Sequence, residues 1–251
     1  IEGGVDLLAI ETMMSLQESR AALIAAKEVC DLPVIVTLTF ESDGRTLFGT
    51  DAKTAAIVLE SLGADAIGAN CSTGPDKMGA IIKDMASVTT IPIIAKPNAG
   101  MPTLDVDGNT VYDMDADTFA TEMMQTYEAG AMIMGGCCGT TPAHMKALSK
   151  KLGQMPVKKR AMTGKRYLAS ERQSLSFGLN DRFMIIGERI NPTGKKKLQA
   201  ELLENKFDMV ISFAEEQEQC GAAILDVNMG MSGVDEKELM RNALEEIGGV
   251  T

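Results

Sequence analysis

The chain has 251 residues, a formal net charge of −11, 45% hydrophobic and 24% charged residues. This is the balance of a soluble globular protein with room for more than one domain. No apolar run reaches the ~18 residues a membrane span needs, no signal or transit segment is visible, and an acidic chain with seven Phe, three Tyr and no Trp lacks the basic, aromatic-interleaved surface of a nucleic-acid binder.

Ile1 stands without a Met in the approach to an apolar run, and Thr251 follows directly on a helical pattern, so both ends read as cuts with neighbours expected beyond them. Apolar, β-rich runs recur at 5–10, 33–39, 64–68, 91–95 and 131–134, and the amphipathic stretches 16–29, 52–62, 75–86 and 116–129 between them predict helices. Near-continuous apolar strands alternating with helices indicate a parallel sheet buried on both faces. Strand ends about 26 to 40 residues apart suit βα units of a (β/α)8 barrel or a doubly wound sheet, with five units present. Polar and special residues fall where the strands stop: Glu11-Thr12, Thr39-Phe40, Asn70-Cys71, Lys96-Pro97-Asn98 and Gly136-Cys137-Cys138. In a parallel α/β fold that is the rim where active sites assemble.

Residues 153–182 break the pattern with a Lys/Arg/Ser/Gln-rich stretch that reads as a linker, carrying one alternating piece at 174–178. A second α/β pattern then begins. Strands are expected at 183–188 and 223–228 and helices at 198–205, 208–219 and 235–247, the last with acidic residues in its first turn. The basic runs Lys158-Lys159-Arg160 and Lys195-Lys196-Lys197 read as solvated faces.

Five cysteines without a regular framework point to a reducing compartment, with the cytoplasm as the default. Cys30 and Cys220, near helix ends, read as small buried hydrophobes. Cys71, Cys137 and Cys138 differ, because all three arrive at strand ends. Three thiolates can hold zinc with its fourth tetrahedral position open, as a catalytic site requires, and that position suits a substrate thiol. The competing reading is three small core residues. Gly135, Gly136 and Gly139 favour the metal by clearing side chains from around the doublet, and a disulfide between adjacent residues would be strained.

The remaining motifs carry less. Asp105-Val106-Asp107-Gly108-Asn109 places its Gly too early for an EF-hand loop and reads as a hairpin turn. His144, the one histidine, follows Thr140-Thr141-Pro142, a capped helix start, and is expected at the surface. The 18 methionines read as core filler.

The strand end at Asn70-Cys71 and the run Gly135-Gly136-Cys137-Cys138-Gly139, with Cys71 and Cys137 separated by 66 positions, resemble the zinc motifs of the homocysteine S-methyltransferase family. The resemblance implies zinc held by Cys71, Cys137 and Cys138 with the homocysteine sulfur as fourth ligand. It also implies that Glu11 binds the homocysteine amino group and that Asn70 shapes the pocket. The family's opening strands would precede Ile1, so activity of this chain by itself is not expected. Gly187-Glu188-Arg189-Ile190-Asn191-Pro192-Thr193-Gly194 and Leu225-Asp226-Val227-Asn228 resemble the start of the pterin-binding barrel of cobalamin-dependent methionine synthases.

Together these resemblances imply the later part of one (β/α)8 TIM barrel over residues 1–152, a linker over 153–182, and the opening of a second TIM barrel over 183–251. Glu188, Asn191, Asp226 and Asn228 would then receive methyltetrahydrofolate. The implied reaction is methyl transfer to zinc-activated homocysteine, giving methionine, with methyltetrahydrofolate as donor through cobalamin. Cobalamin would ride on a separate domain, since no Asp-x-His-x-x-Gly loop occurs here. The alternatives are a zinc thiol methyltransferase with another donor or acceptor, and a non-catalytic substrate-binding fragment.

Overall fold

The computed structural model describes residues 1–153, 155–157 and 164–250; the run Lys158-Lys159-Arg160 lies outside them. The chain divides into two compact units, Ile1–Leu179 and Asn180–Thr251. Among the described residues, no helix is long and apolar enough to cross a membrane.

In the first unit the order is β1 (Leu8–Met13), α1 (Leu16–Val29), β2 (Val34–Leu38), α2 (Ala52–Ser61), β3 (Ala66–Asn70), α3 (Pro75–Ala86), β4 (Ile93–Lys96), β5 (Thr103–Leu104), β6 (Thr110–Val111), α4 (Ala116–Ala129), β7 (Ile133–Met134), α5 (Pro142–Leu152), β8 (Arg166–Ala169) and β9 (Ser174–Phe177). Helices α1, α2 and α4 start on polar caps, and α3 on Gly74-Pro75. Ser15 Oγ accepts from Glu18 N, Asp51 from Thr54 N, and Asp115 from both Asp117 N and Thr118 N, satisfying amides that the first turn leaves open.

β1, β2, β3, β4 and β7 form one parallel sheet in that order. The five residues of β3 are all buried, and Val36, Leu38, Ile67, Ile93 and Ala95 join Leu23, Leu59, Met78 and Ile82 from the helices in the core. A flat sheet would hold β1 and β4 about 14 Å apart, three spacings of ~4.8 Å. Yet Glu11 on β1 ion-pairs with Lys96 on β4, and Asn70 on β3 bonds Thr12 on β1. The sheet therefore curls, drawing its strand ends together.

β1 begins three residues later than the apolar run suggests and extends through Glu11 and Thr12, because Met13 pairs with Leu38 across an irregularity in the ladder. The expected turn at 105–109 closes the antiparallel hairpin β5–β6. The alternating piece near Ser174 is β9, paired with β8. This second hairpin belongs to the first unit: Arg172 O accepts from Asp51 N and from the Arg45 guanidinium.

The second unit contains β10 (Ile185–Ile190), α6 (Lys196–Leu203), α7 (Asp208–Gln219), β11 (Ala222–Val227) and α8 (Glu236–Gly248), with β10 and β11 parallel. Its core gathers Ile190, Leu198, Val210, Ala214, Leu239 and Ala243. Phe183, expected within the strand, is 92% exposed and lies outside it. Both remaining cysteines close helices, but Cys220 is exposed and Cys30 half-buried. The expectation of two buried hydrophobes fails: each caps a helix end, where the packed face of the helix stops.

At the end of the sheet opposite the cysteines, Asp65 accepts from Lys27 Nζ and Val34 N, both at 2.7 Å. The Lys27 hydrogen bond, then the Val34 amide, hold its carboxyl below the ordinary value. A lowered folded-state pKa means the stabilisation is present above pH ~4 and is lost as pH falls through the folded value. Asp65→Asn is expected to cost about 1 kcal/mol at pH 7, the pair being partly exposed, with the difference from wild type shrinking below pH ~4; urea unfolding at both pH values checks this.

Candidate active site

Cys71 follows β3, and Cys137 and Cys138 follow β7. Their sulfurs lie within 4.8 Å of one another, so the three can hold a metal ion. Cys71 Sγ is 3.9 Å from Cys138 Sγ, which is 4.0 Å from Cys137 Sγ.

The cysteines are set by backbone. The segment Lys96-Pro97-Asn98-Ala99 runs between them: Cys71 N donates to Lys96 O (3.0 Å), Cys137 N to Pro97 O (2.8 Å), Cys138 N to Asn98 Oδ1 (3.1 Å), and Ala99 N to Cys138 O (2.9 Å). Cys71 and Ser72 both adopt left-handed backbone, at φ 62° and 59°, which turns the chain sharply at the end of β3. Thr12 does the same at φ 63°, a costly conformation for a β-branched residue and of the kind that gathers at functional sites.

Asn70 is buried and uses its whole amide. Oδ1 accepts from Thr12 N (3.0 Å) and Thr37 Oγ1 (2.7 Å), while Nδ2 donates to Thr12 Oγ1 (2.7 Å) and lies 3.9 Å from Cys137 Sγ. Its carbonyl accepts from Thr39 Oγ1. One side chain thus joins β1, β2 and β3 and reaches the sulfur cluster.

Burial pushes the Cys137 thiol up to about 11, and the nearby Cys71 adds to the shift. Burial also opposes ionisation of Cys138, but hydrogen bonding from Tyr112, Cys71 and Cys137 outweighs it and lowers that thiol. Three sulfurs this close resist joint ionisation unless a cation neutralises them.

The glycines around the doublet make room for protein side chains. A Cβ on Gly136 would stand 2.4 Å from the Thr140 methyl, and one on Gly139 2.4 Å from Tyr112 Cβ. At both positions a side chain would collide with a neighbour packed beside the doublet. His144 is buried, not at the surface as expected. Its Nδ1 lies 2.9 Å from Thr141 Oγ1 and accepts from Thr141 N, its Nε2 lies 2.9 Å from Met114 O, and its ring packs edge-on against Phe119. It fastens the start of α5 to the segment that carries Tyr112. Asn98, Tyr112 and His144 acquire these roles only through tertiary contacts.

Glu11 sits at the same end of the sheet, its carboxylate accepting from Lys96 Nζ. Glu188, Asn191, Asp226 and Asn228 lie in the second unit. Asn191 Nδ2 donates to Glu188 Oε1 while its Oδ1 accepts from Thr193 N. Asn228 Oδ1 accepts from Gly230 N and lines an open cavity of about 620 Å³ with Glu236 and Met240. Asp226 lies within β11.

The family model of the homocysteine S-methyltransferases matches residues 1–152. The chain belongs to the homocysteine S-methyltransferase family. Among curated relatives it is similar to the methionine synthase of Mycobacterium tuberculosis, 29% identical over 241 residues (94% of this chain, 20% of the relative), and to that of Mycobacterium leprae, 29% identical over 261 residues (98% and 22%). The chain spans about a fifth of the length of these relatives, and the similarity runs past the homocysteine S-methyltransferase match into the second unit. Solved structures similar to it include the homocysteine methyltransferase MmuM of Escherichia coli in its apo form (25% identity, 60% of this chain, 51% of that one, TM-score 0.49) and its metallated form (26%, 60%, 46%, TM-score 0.49).

In this homocysteine S-methyltransferase unit, Asn70→Ala would remove three side-chain hydrogen bonds, one buried and two partly buried. At about 1 kcal/mol each, a loss of about 3 kcal/mol is expected. Chemical denaturation compared with wild type measures it.

Proposed function

We propose that Cys71, Cys137 and Cys138 hold zinc, that the sulfur of homocysteine takes the remaining coordination position, and that methylation of that sulfur gives methionine. The observation that carries this reading is the sulfur spacing. A tetrahedral zinc with bonds of about 2.3 Å sets neighbouring sulfurs about 3.8 Å apart, and the separations of 3.9 and 4.0 Å already match it. An all-sulfur donor set is the soft environment that zinc accepts. Bound there, zinc would lower the pKa of a substrate thiol and keep it a thiolate at neutral pH.

The protein's own groups do the positioning. The backbone of Lys96 to Ala99 fixes where the cysteines point, as groups hydrogen-bonded behind a metal's ligands do. The Asn70 amide faces Cys137 and can donate to its sulfur. The Glu11 carboxylate would accept charge-assisted hydrogen bonds from the substrate ammonium.

The curl of the parallel sheet and the placement of the cysteines at its carboxyl end support the later part of a (β/α)8 barrel over residues 1–152, with 153–182 as connection. The parallel pair β10–β11 supports the opening of a second barrel over 183–251. There Glu188, Asn191, Asp226 and Asn228 would bind methyltetrahydrofolate, whose pterin edge offers matching donors and acceptors. The methyl group would travel on cobalamin carried by another domain, as the similarity to methionine synthases across both units suggests. The free cysteines fit a cytoplasmic setting.

Elemental analysis of purified protein tests the metal. About one equivalent of zinc is expected in wild type and close to none in Cys137→Ala. An unchanged zinc content in that variant would reject the assignment.

A further inference from the structure

Lys96 is the charged group at this site that the proposed reaction leaves without a role. It closes β4, where it pairs in register with Asn70 on β3. Register partners on parallel strands project to the same face, so Lys96 stands on the face where Asn70 meets the Cys137 sulfur. Its carbonyl holds Cys71 N, and its stem runs past Gly135, where an added Cβ would lie 3.4 Å from Lys96 Cγ. The ammonium crosses above β2 and β3 to reach Glu11 on β1. A surface ion pair of the ordinary kind sits on helices facing solvent; this one spans the inside of the curled sheet beside the thiols.

An α-amino acid carries an ammonium and a carboxylate on one carbon, and two methylene groups separate that carbon from the sulfur of homocysteine. Opposite protein charges held against each other next to a thiol site are the complement of that zwitterion. The Lys96 side chain is 29% exposed and that of Glu11 50%, so the pair contributes little by itself and opens readily. We propose that Lys96 binds the α-carboxylate of the amino-acid substrate while Glu11 takes its ammonium, each exchanging the other for the substrate group of opposite charge. This rests on the reading of the thiol cluster as the homocysteine site. It makes Lys96 the residue that selects an amino-acid thiol over a simple aminothiol.

The test uses calorimetric binding to the zinc-loaded full-length protein, with L-homocysteine and with 3-aminopropane-1-thiol, which lacks only the carboxylate. Wild type is expected to favour homocysteine by about 10- to 100-fold, the value of a charge-assisted contact. Lys96→Met should bind both thiols alike, and Lys96→Arg should restore the preference. If Lys96→Met keeps the wild-type preference, Lys96 does not read the carboxylate and the thiol site stands without it. If wild type binds neither thiol, the homocysteine site itself is wrong and the role of Lys96 falls with it.

Discussion

The buried amide of Asn70 is the interaction on which the rest of the site depends. A side-chain amide in a dry core must satisfy both its ends, and here it does so by bonding to the adjacent strand β2 and, beyond it, to β1. That fixes how closely β1 approaches β3 and therefore where Glu11 and Thr12 stand relative to Cys71 and Cys137. With one end of the amide near a cysteine sulfur, the packing of the sheet and the position of the thiols become one problem with one solution.

Left-handed backbone occurs beside these contacts, at Thr12, Cys71 and Ser72. None is favoured by its residue type, and each lies next to a group that must point inward. Further stabilisation comes from the buried β3 strand, from the capped helices around it, and from the Asp65 contacts at the opposite end of the sheet. A parallel α/β unit commonly separates these tasks, with stability at one end of its strands and chemistry at the other.

Much of the fold was legible in the sequence. Helices α1, α3, α4 and α7 fall where amphipathic spacing and their polar or proline starts place them, because such signals are local. Strand limits moved by two or three residues at β1 and β10, where polar residues such as Glu11 and Glu188 belong to ladders set by their neighbours. The three cysteines were visible as residue types at strand ends. Their fine support was not: His144 is buried by a carbonyl 30 residues away in the chain, Tyr112 packs against Gly139, and Lys96 meets a carboxylate 85 residues distant. Such pairings come from how the sheet curls, and hydrophobic period carries no record of that.

The central claim is that the thiol cluster is a zinc centre with one position reserved for the substrate sulfur. X-ray absorption at the zinc edge of the full-length protein tests it most directly. Three zinc–sulfur bonds of about 2.3 Å with a lighter fourth ligand are predicted without homocysteine, and four sulfurs with it. A first shell that does not change on adding homocysteine, or one without the three sulfurs, would contradict the account.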